Sequence, residues 1–182
     1  MALTAKLPPY RLASDEKMSQ VMIYTANSLL WGELVVKSII RVSTWLRTSA
    51  VPDWVTLYNA SLLITNQGAN AKPVNFIEMH IPVPQIIAFH LIPPAQDPID
   101  FDPTELNRRM EPVNAIFSSF MVKANLRISA NATLKKYIEL NREAFSGLYD
   151  VEVTSLSLQN FGLVKVPYLL VRQVNTIFTA RS

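Results

Sequence analysis

The chain has 182 residues, of which 49% are apolar and 17% charged, so it can bury a core while carrying fewer charges than the roughly 25% of an average soluble domain. It has no cysteine and only two histidines, which excludes disulfides, thiol nucleophiles and zinc sites built on cysteines or on three histidines. Its net charge is +3 without a basic arm, and its 4 glycines are too scattered for a glycine-rich phosphate loop.

The amino-terminal segment contains a Pro-Pro step and shows no hydrophobic periodicity. It also lacks the apolar stretch of a secretory signal, and no run in the chain is apolar enough for a membrane-spanning helix. We therefore expect residues 1–21 to form an amino-terminal extension, and the protein to be cytoplasmic.

The sequence contains pairs of similar segments in the same order and at nearly the same spacing, which predicts an internal duplication. The pairs are 35–43 with 121–129, 57–62 with 148–153, and 77–89 with 166–178. The duplication divides the chain into a first β repeat, 22–92, and a second β repeat, 113–182. The segment between them, 93–112, is rich in proline and reads as an irregular linker.

Apolar and polar residues alternate with a period of two in both repeats, which is typical of half-buried strands. In 36–43 and 122–129 the predicted inward residues are Val36, Ser38, Ile40, Val42, Val122, Ala124, Leu126 and Ile128. In the next strand of each repeat they are Tyr58, Ala60, Leu62, Ile64, Tyr149, Val151 and Val153. The last strands, 76–91 and 164–178, are apolar on both faces, which indicates a central or covered position.

The segment from Thr133 to Phe145 departs from the strand pattern. Its apolar residues recur at helical spacing and follow a threonine that can cap a helix, so it predicts one helix of about three turns. The corresponding segment of the first repeat, 44–53, is short and interrupted by a proline. We therefore expect a mainly β fold with one or two short helices, built from two duplicated small antiparallel barrel or sheet halves packed by pseudo-twofold symmetry.

The segments 57–60 and 78–90, together with 148–151 and 165–179, resemble the strand layout of small antiparallel barrels of the Sm-like type, in tandem, as in an uncharacterised bacterial family. The resemblance implies a small β-barrel in each repeat. The Sm family reads RNA with an Asp-x-x-x-Asn loop and an Arg-Gly pair, and this chain has 52–56 (PDWVT) and the break 82–84 (PVP) at the matching places. The RNA site of that family is therefore not carried over.

A Lys-x-x-x-Arg-x-Ser pattern occurs in both repeats and is the most specific polar feature of the sequence. It supplies the candidate binding face, formed by Lys37, Arg41, Ser43, Lys123, Arg127 and Ser129. Such cations suit phosphates or an acidic partner. The alternative is a solvated strand face whose arginines pair with acids on neighbouring strands.

The remaining polar residues favour ordinary structural roles. The acids at 97, 100, 102 and 105 lack the glycine of a calcium loop and are expected to be solvated or to cap a helix after Asp102. His80 and His90 lack a metal or catalytic partner by spacing, and the three tryptophans of the first repeat are expected to be buried in the core or at an interface. We predict no catalytic residues, metal site or cofactor.

Taken together, these patterns predict a non-enzymatic structural or protein-interaction module that forms homo-oligomers or binds a protein partner. The physical reason is that small β units leave strand edges that can pair with other chains. The alternative is a nucleic-acid or nucleotide-binding module that uses the Lys/Arg strand faces. The positions of the basic residues distinguish the two functions. A nucleic-acid module needs them on one positive surface, whereas a structural module leaves them facing acidic neighbours.

Overall fold

The computed structural model describes residues 10–48, 51–98 and 100–181, with the backbone alone at 68–70. It is mainly β, as predicted, and ten antiparallel strands form one sheet that is not closed. The strands are β1 (Glu16–Tyr24), β2 (Ser28–Lys37), β3 (Trp54–Ile64), β4 (Val74–Pro82), β5 (Ala88–Leu91), β6 (Arg108–Phe117), β7 (Phe120–Ser129), β8 (Phe145–Ser155), β9 (Val164–Arg172) and β10 (Ile177–Ala180).

The strand order across the sheet is β10-β6-β7-β8-β9-β5-β1-β2-β3-β4. The five strands from the second part of the chain are therefore adjacent, and so are the five from the first part. Both runs take their strands in the same order, with the last strand beside the first and the others following in sequence. The two runs meet where β9 pairs with β5.

The pairing of β9 with β5 does not agree with the predicted pseudo-twofold packing. A twofold axis would bring together strands that hold the same position in each run. Here β9 is the fourth strand of its run and β5 is the fifth. The relation between the two runs is consequently head to tail, which leaves one end of each run without a neighbouring strand in the sheet.

The boundaries of the predicted repeats also need correction. Strand β1 begins at Glu16, so the last residues of the predicted extension 1–21 belong to the sheet. Strand β6 begins at Arg108, within the predicted linker 93–112, and continues through Pro112. Residues 1–9 lie outside the described residues. Both strands were missed because each begins with polar residues that hide the alternation.

The helix predicted in the second repeat is present but shorter than expected. Helix α1 (Leu134–Leu140) is capped by Thr133, whose side chain accepts a hydrogen bond from the Lys136 N–H at 3.2 Å. At the corresponding place in the first run, a 3-10 helix covers Val42–Arg47. Further 3-10 turns follow β3, β4 and β9, at Thr65–Asn70, Val83–Gln85 and Gln173–Asn175.

The match of 35–43 with 121–129 is wrong in the structure. Strand β2 ends at Lys37 and is followed by a turn at Ser38 and Ile39, whereas 121–129 lies entirely in β7. The predicted inward residues of β7 are buried. Ile40 is only half-buried and belongs to no strand.

Two buried apolar clusters hold the fold together, and each draws residues from both runs. The larger one fills the second run and includes Tyr24 and Leu29 of the first. The other fills the first run and includes Phe145 and Leu170 of the second. This exchange of side chains across the junction makes the two runs one packed unit.

Candidate functional site

The junction of the two runs is an antiparallel ladder between β5 and β9. Ala88 lies opposite Val171 and Phe89 opposite Leu170, and all four are buried. The ladder ends where the Arg172 N–H donates to the Ile87 carbonyl oxygen at 2.7 Å. Apolar side chains on both strands therefore exclude water from these backbone hydrogen bonds.

The side chain of Arg172 fastens the end of this junction. Its Nε donates to the Ile86 carbonyl oxygen at 2.8 Å and its Nη2 to that of Val83 at 2.6 Å. Its guanidinium also lies 4.4 Å from the centroid of the Phe145 ring. One side chain of the second run thus binds two carbonyls in the turn that precedes β5.

Strand β4 is one end of the sheet, although the sequence predicted a central or covered position for it. It pairs with β3 on one side only. Most of its residues are exposed, and Ile77 exposes 72% of its surface. The Val83 N–H donates to the Asp53 carbonyl oxygen, so the backbone groups of Val83 point toward β3. Because the direction of the backbone N–H and C=O groups alternates along a strand, those of His80 and Glu78 point away from β3.

Strand β10 is the other end of the sheet. The Arg181 N–H donates to the Pro112 carbonyl oxygen in register with the β6 pairing, so the backbone groups of Phe178 and Ala180 point away from β6. Val174, in the turn before the strand, and Ile177, at its start, are exposed. Among the described residues no strand pairs with the outer side of β4 or β10, so both ends of the sheet carry open backbone groups beside exposed apolar side chains.

The first set of predicted basic residues does not form a ladder. Lys37 is exposed at the end of β2 and pairs with Asp15 at 3.0 Å and Glu16 at 3.5 Å. Arg41 follows the turn, and its Nε and Nη2 are buried without a hydrogen-bond partner among the described residues. Ser43 is buried in the 3-10 helix, and its N–H donates to Asp97 at 2.7 Å.

The second set lies along β7, as predicted. Arg127 pairs with Glu105 and lies 4.5 Å from the centroid of the Phe101 ring. Lys123 is exposed and lies opposite Glu152 of β8. Ser129 accepts a hydrogen bond from Arg108 at 3.3 Å. The Lys and Arg side chains of this strand therefore face acidic or aromatic neighbours.

The two sets do not come together. Strands β2 and β7 are separated in the sheet by β8, β9, β5 and β1. Lys37 and Arg127 are each engaged by a carboxylate, whereas Arg41 and Lys123 form no ion pair among the described residues. Lys37 and Arg127 are thus paired with acids, as the alternative prediction expected, whereas Nε and Nη2 of Arg41 are buried and not solvated.

The predicted linker acids are more engaged than expected. Asp100 accepts hydrogen bonds from the hydroxyls of Tyr149 at 2.7 Å and Tyr168 at 3.3 Å, and Arg47 of the first run lies 3.5 Å away. Asp102 accepts from the Thr104 N–H at 2.8 Å, which closes a turn and not a helix. These contacts hold the linker against both runs.

The phenols beside Asp100 are held as donors. Burial, followed by the hydrogen bond to Asp100, raises the pKa of Tyr149, and burial followed by the charge of Asp100 raises that of Tyr168. Both therefore remain protonated at neutral pH and cannot act as bases. The two phenols and Asp100 therefore fasten the linker to the second run.

Neither histidine lies in a metal-binding arrangement. His80 is exposed, with its Nδ1 3.0 Å from the Thr56 hydroxyl. His90 is buried against Tyr24. Within residues 10–48, 51–98 and 100–181, no group of three or more His, Asp or Glu side chains could hold a metal ion, and no helix is long and apolar enough to cross a membrane.

Comparison with known proteins finds no matching family model, no matching curated protein and no matching solved structure.

Proposed function

We propose that this protein is a structural assembly module whose copies join head to tail, with β4 of one copy pairing with β10 of the next. The observation that carries the proposal is the junction between β9 and β5. It joins the fourth strand of one run to the fifth strand of the other, and the sheet ends on the remaining fourth and fifth strands, β4 and β10. Extended edges of this kind are the usual sites of strand addition.

The proposal includes an origin by duplication, with each run descending from one five-stranded unit. It is supported by the shared strand order and by the shared 3-10 turns before β5 and β10. The resemblance to Sm-like barrels is part of the same proposal, each run being one such unit. A duplicated unit that pairs with itself inside one chain retains the same two complementary edges at the ends of the chain.

The internal junction predicts the register between copies. Leu170 is the third residue before the turn after β9, and His80 is the third before the turn after β4. Phe89 and Phe178 are both the second residue of their strands. Because Phe89 lies opposite Leu170, Phe178 of one copy is expected opposite His80 of the next, with Ala180 opposite Glu78.

The junction between copies is expected to be weaker than the internal one. Pro82 stands where β9 has Arg172, so it has neither the N–H that bonds to Ile87 nor a guanidinium to bind the turn. The assembly should therefore dissociate on dilution, whereas the junction inside the chain does not.

The test is the native mass of the protein over a range of concentrations, with proline placed at outward-facing edge positions. Proline there removes an N–H that points away from the neighbouring strand of its own chain, so the fold should be retained. His80→Pro blocks β4, with His80→Ala as its control. Ala180→Pro blocks β10, with Ala180→Ser as its control.

We expect the wild type and both controls to form multiples of the 20.5 kDa chain, and each proline variant to be monomeric. A mixture of the two proline variants should give dimers and nothing larger, because one intact β4 and one intact β10 remain. A wild type that is monomeric at every concentration, or oligomers that survive both prolines, would overturn the proposal.

A further inference from the structure

A cavity of about 440 Å³ lies between the first run and the loop that joins β8 to β9. Side chains of β1, β2 and β3 form one wall, and residues 158–161 form the other. The apolar lining includes Met22, Leu29, Trp31, Leu63, Leu158 and Phe161. Among the described lining residues the only polar side chains are the uncharged amides of Gln159 and Asn160, and both residues are exposed.

The strands of the second run that correspond to this wall are polar at the matching positions. Met22 lies opposite Trp31, and both occupy the positions held in the second run by Asn114 and Lys123. Each of Trp31 and Lys123 immediately precedes the register shift with the following strand.

The same contrast holds for the third strand. Leu63 lies opposite Leu29, and Thr154 opposite Met121. Three polar positions of the second run are therefore apolar in the first run, where they face the cavity.

Packing between the runs accounts for only part of this apolar surface. Leu29 and Leu158 are buried, but Trp31, Leu63 and Phe161 are only partly buried. The loop that joins β8 to β9 is held in place by the Ser157 hydroxyl, which donates to the Thr65 carbonyl oxygen at 3.1 Å. The loop is thus fixed at a distance that leaves the apolar walls apart.

The size and chemistry of the cavity define what could fill it. Its volume is about three times that of a cavity that holds one benzene ring. Water in such a space finds few hydrogen-bond partners, so its displacement by an apolar molecule is favourable. An ionised ligand would lose hydration without meeting an opposite charge.

We propose that this cavity binds a neutral small molecule of two or three fused rings, or an alkyl group of equal bulk, with one uncharged polar end facing Gln159 and Asn160. The two amides can donate to and accept from a hydroxyl or carbonyl group. The site is independent of the end strands, because neither β4 nor β10 contributes a lining residue.

The test uses 2-naphthol as the neutral probe and naphthalene-2-sulfonate as its charged counterpart, both measured by calorimetry on the full chain. We expect 2-naphthol to bind with one site and a Kd on the order of 100 μM or below, and the sulfonate to bind at least about tenfold more weakly. Two variants locate the site: Ala71→Phe fills the cavity, and Leu63→Thr places the residue of the second run on its wall.

Both variants should weaken 2-naphthol binding at least about tenfold, while Ile39→Thr, in the turn after β2 and not among the lining residues of the cavity, should leave it unchanged. Thermal unfolding of each variant shows whether it is folded, and Ala71→Phe should unfold no earlier than the wild type because it adds apolar contacts. The proposal would be overturned if the wild type did not bind 2-naphthol. It would also be overturned if Ala71→Phe and Leu63→Thr bound 2-naphthol as tightly as the wild type.

Discussion

Asn59 and Asp150 have the same unusual backbone conformation in corresponding strands, with φ of 45° in β3 and 51° in β8. Each follows a tyrosine that lies opposite the residue where the register of the preceding strand shifts. Each side chain is also bonded across to that strand, Asn59 to Glu33 at 2.8 Å and Asp150 to Asn125 at 3.1 Å. The two strands therefore have the same bulge at the same point, with a residue at positive φ and a side-chain hydrogen bond to the preceding strand.

This bulge gives a prediction on stability. A β-branched residue cannot adopt positive φ without strain, whereas asparagine, aspartate and glycine tolerate it. We expect Asn59→Val and Asp150→Val each to lower the free energy of unfolding by roughly 1–2 kcal/mol more than the glycine replacement at the same position. Urea denaturation measures the difference, and equal losses for valine and glycine would show that the positive φ is not retained in solution.

The same bulge explains why the inside-outside prediction failed in part of each run. Strict alternation placed Tyr58 and Tyr149 in the core, yet the buried neighbours are Leu57 and Leu148. The extra residue at the bulge reverses the faces on its two sides. Val151 and Val153, beyond the bulge, are buried as predicted.

Strand β7 contains no such reversal, and its inward-facing residues were predicted correctly from the alternation. Leu126 is buried, whereas Ile39, in the turn after β2, exposes 93% of its surface. We expect Leu126→Ala to lower the free energy of unfolding by roughly 2–4 kcal/mol, and Ile39→Ala to change it by less than about 0.5 kcal/mol. Chemical denaturation measures the free energy of unfolding of both variants. Similar losses for Leu126→Ala and Ile39→Ala would contradict the assigned core.

The position of each strand in the sheet could not be obtained from local patterns. The apolar residues of β4 favoured a covered strand, but their exposure follows from β4 being at the end of the order, which depends on pairings between distant segments. The acids of 97–105 likewise read as solvated, because their partners Arg47, Tyr149 and Tyr168 lie far away in sequence.

His90 gives a prediction on pH. Its Nδ1 donates to the Leu91 carbonyl oxygen at 2.8 Å, so its Nε2 accepts from the Tyr24 hydroxyl at 3.0 Å. Burial lowers the pKa of His90 from 6.5 to about 4, although the bond to Leu91 opposes the change. The unfolded chain therefore binds the proton more tightly, and stability falls as the pH drops from about 6.5 toward 4.

We expect the wild type to lose about 2 kcal/mol from this group between pH 7 and pH 5. His90→Gln removes the titrating group and should abolish that loss, while His80→Ala should retain it. The measurement is the free energy of unfolding against pH. A His90→Gln variant that loses as much stability as the wild type over this range would contradict the assignment.

Gly147 gives a prediction on the linker cluster. A Cβ at this position would meet the Tyr168 ring, with its Cζ at 2.8 Å, so Gly147→Ala must displace the phenol that donates to Asp100. We expect a loss of roughly 1–3 kcal/mol in the free energy of unfolding. In a Tyr168→Leu background the same change should cost much less, and a double-mutant cycle without coupling would show that the steric contact is not the cause.

The last prediction separates assembly from nucleic-acid binding. Binding through Lys37, Arg41, Lys123 and Arg127 would give an affinity for a mixed oligonucleotide that falls steeply with salt, by about one counterion for each phosphate neutralised. The pairing of Lys37 with Asp15 and of Arg127 with Glu105 leaves few free cations for this purpose, and the two sets lie on separated strands. We therefore expect only weak binding at low salt, and a native mass that nuclease does not change. Replacing the four residues by glutamine should leave the oligomer intact, because none of the four lies on β4 or β10. Arg127→Gln serves as a separate variant, since that side chain also packs on Phe101. Tight, salt-dependent binding by the wild type that is lost in the fourfold variant, with the fold retained, would favour the nucleic-acid module over the assembly module.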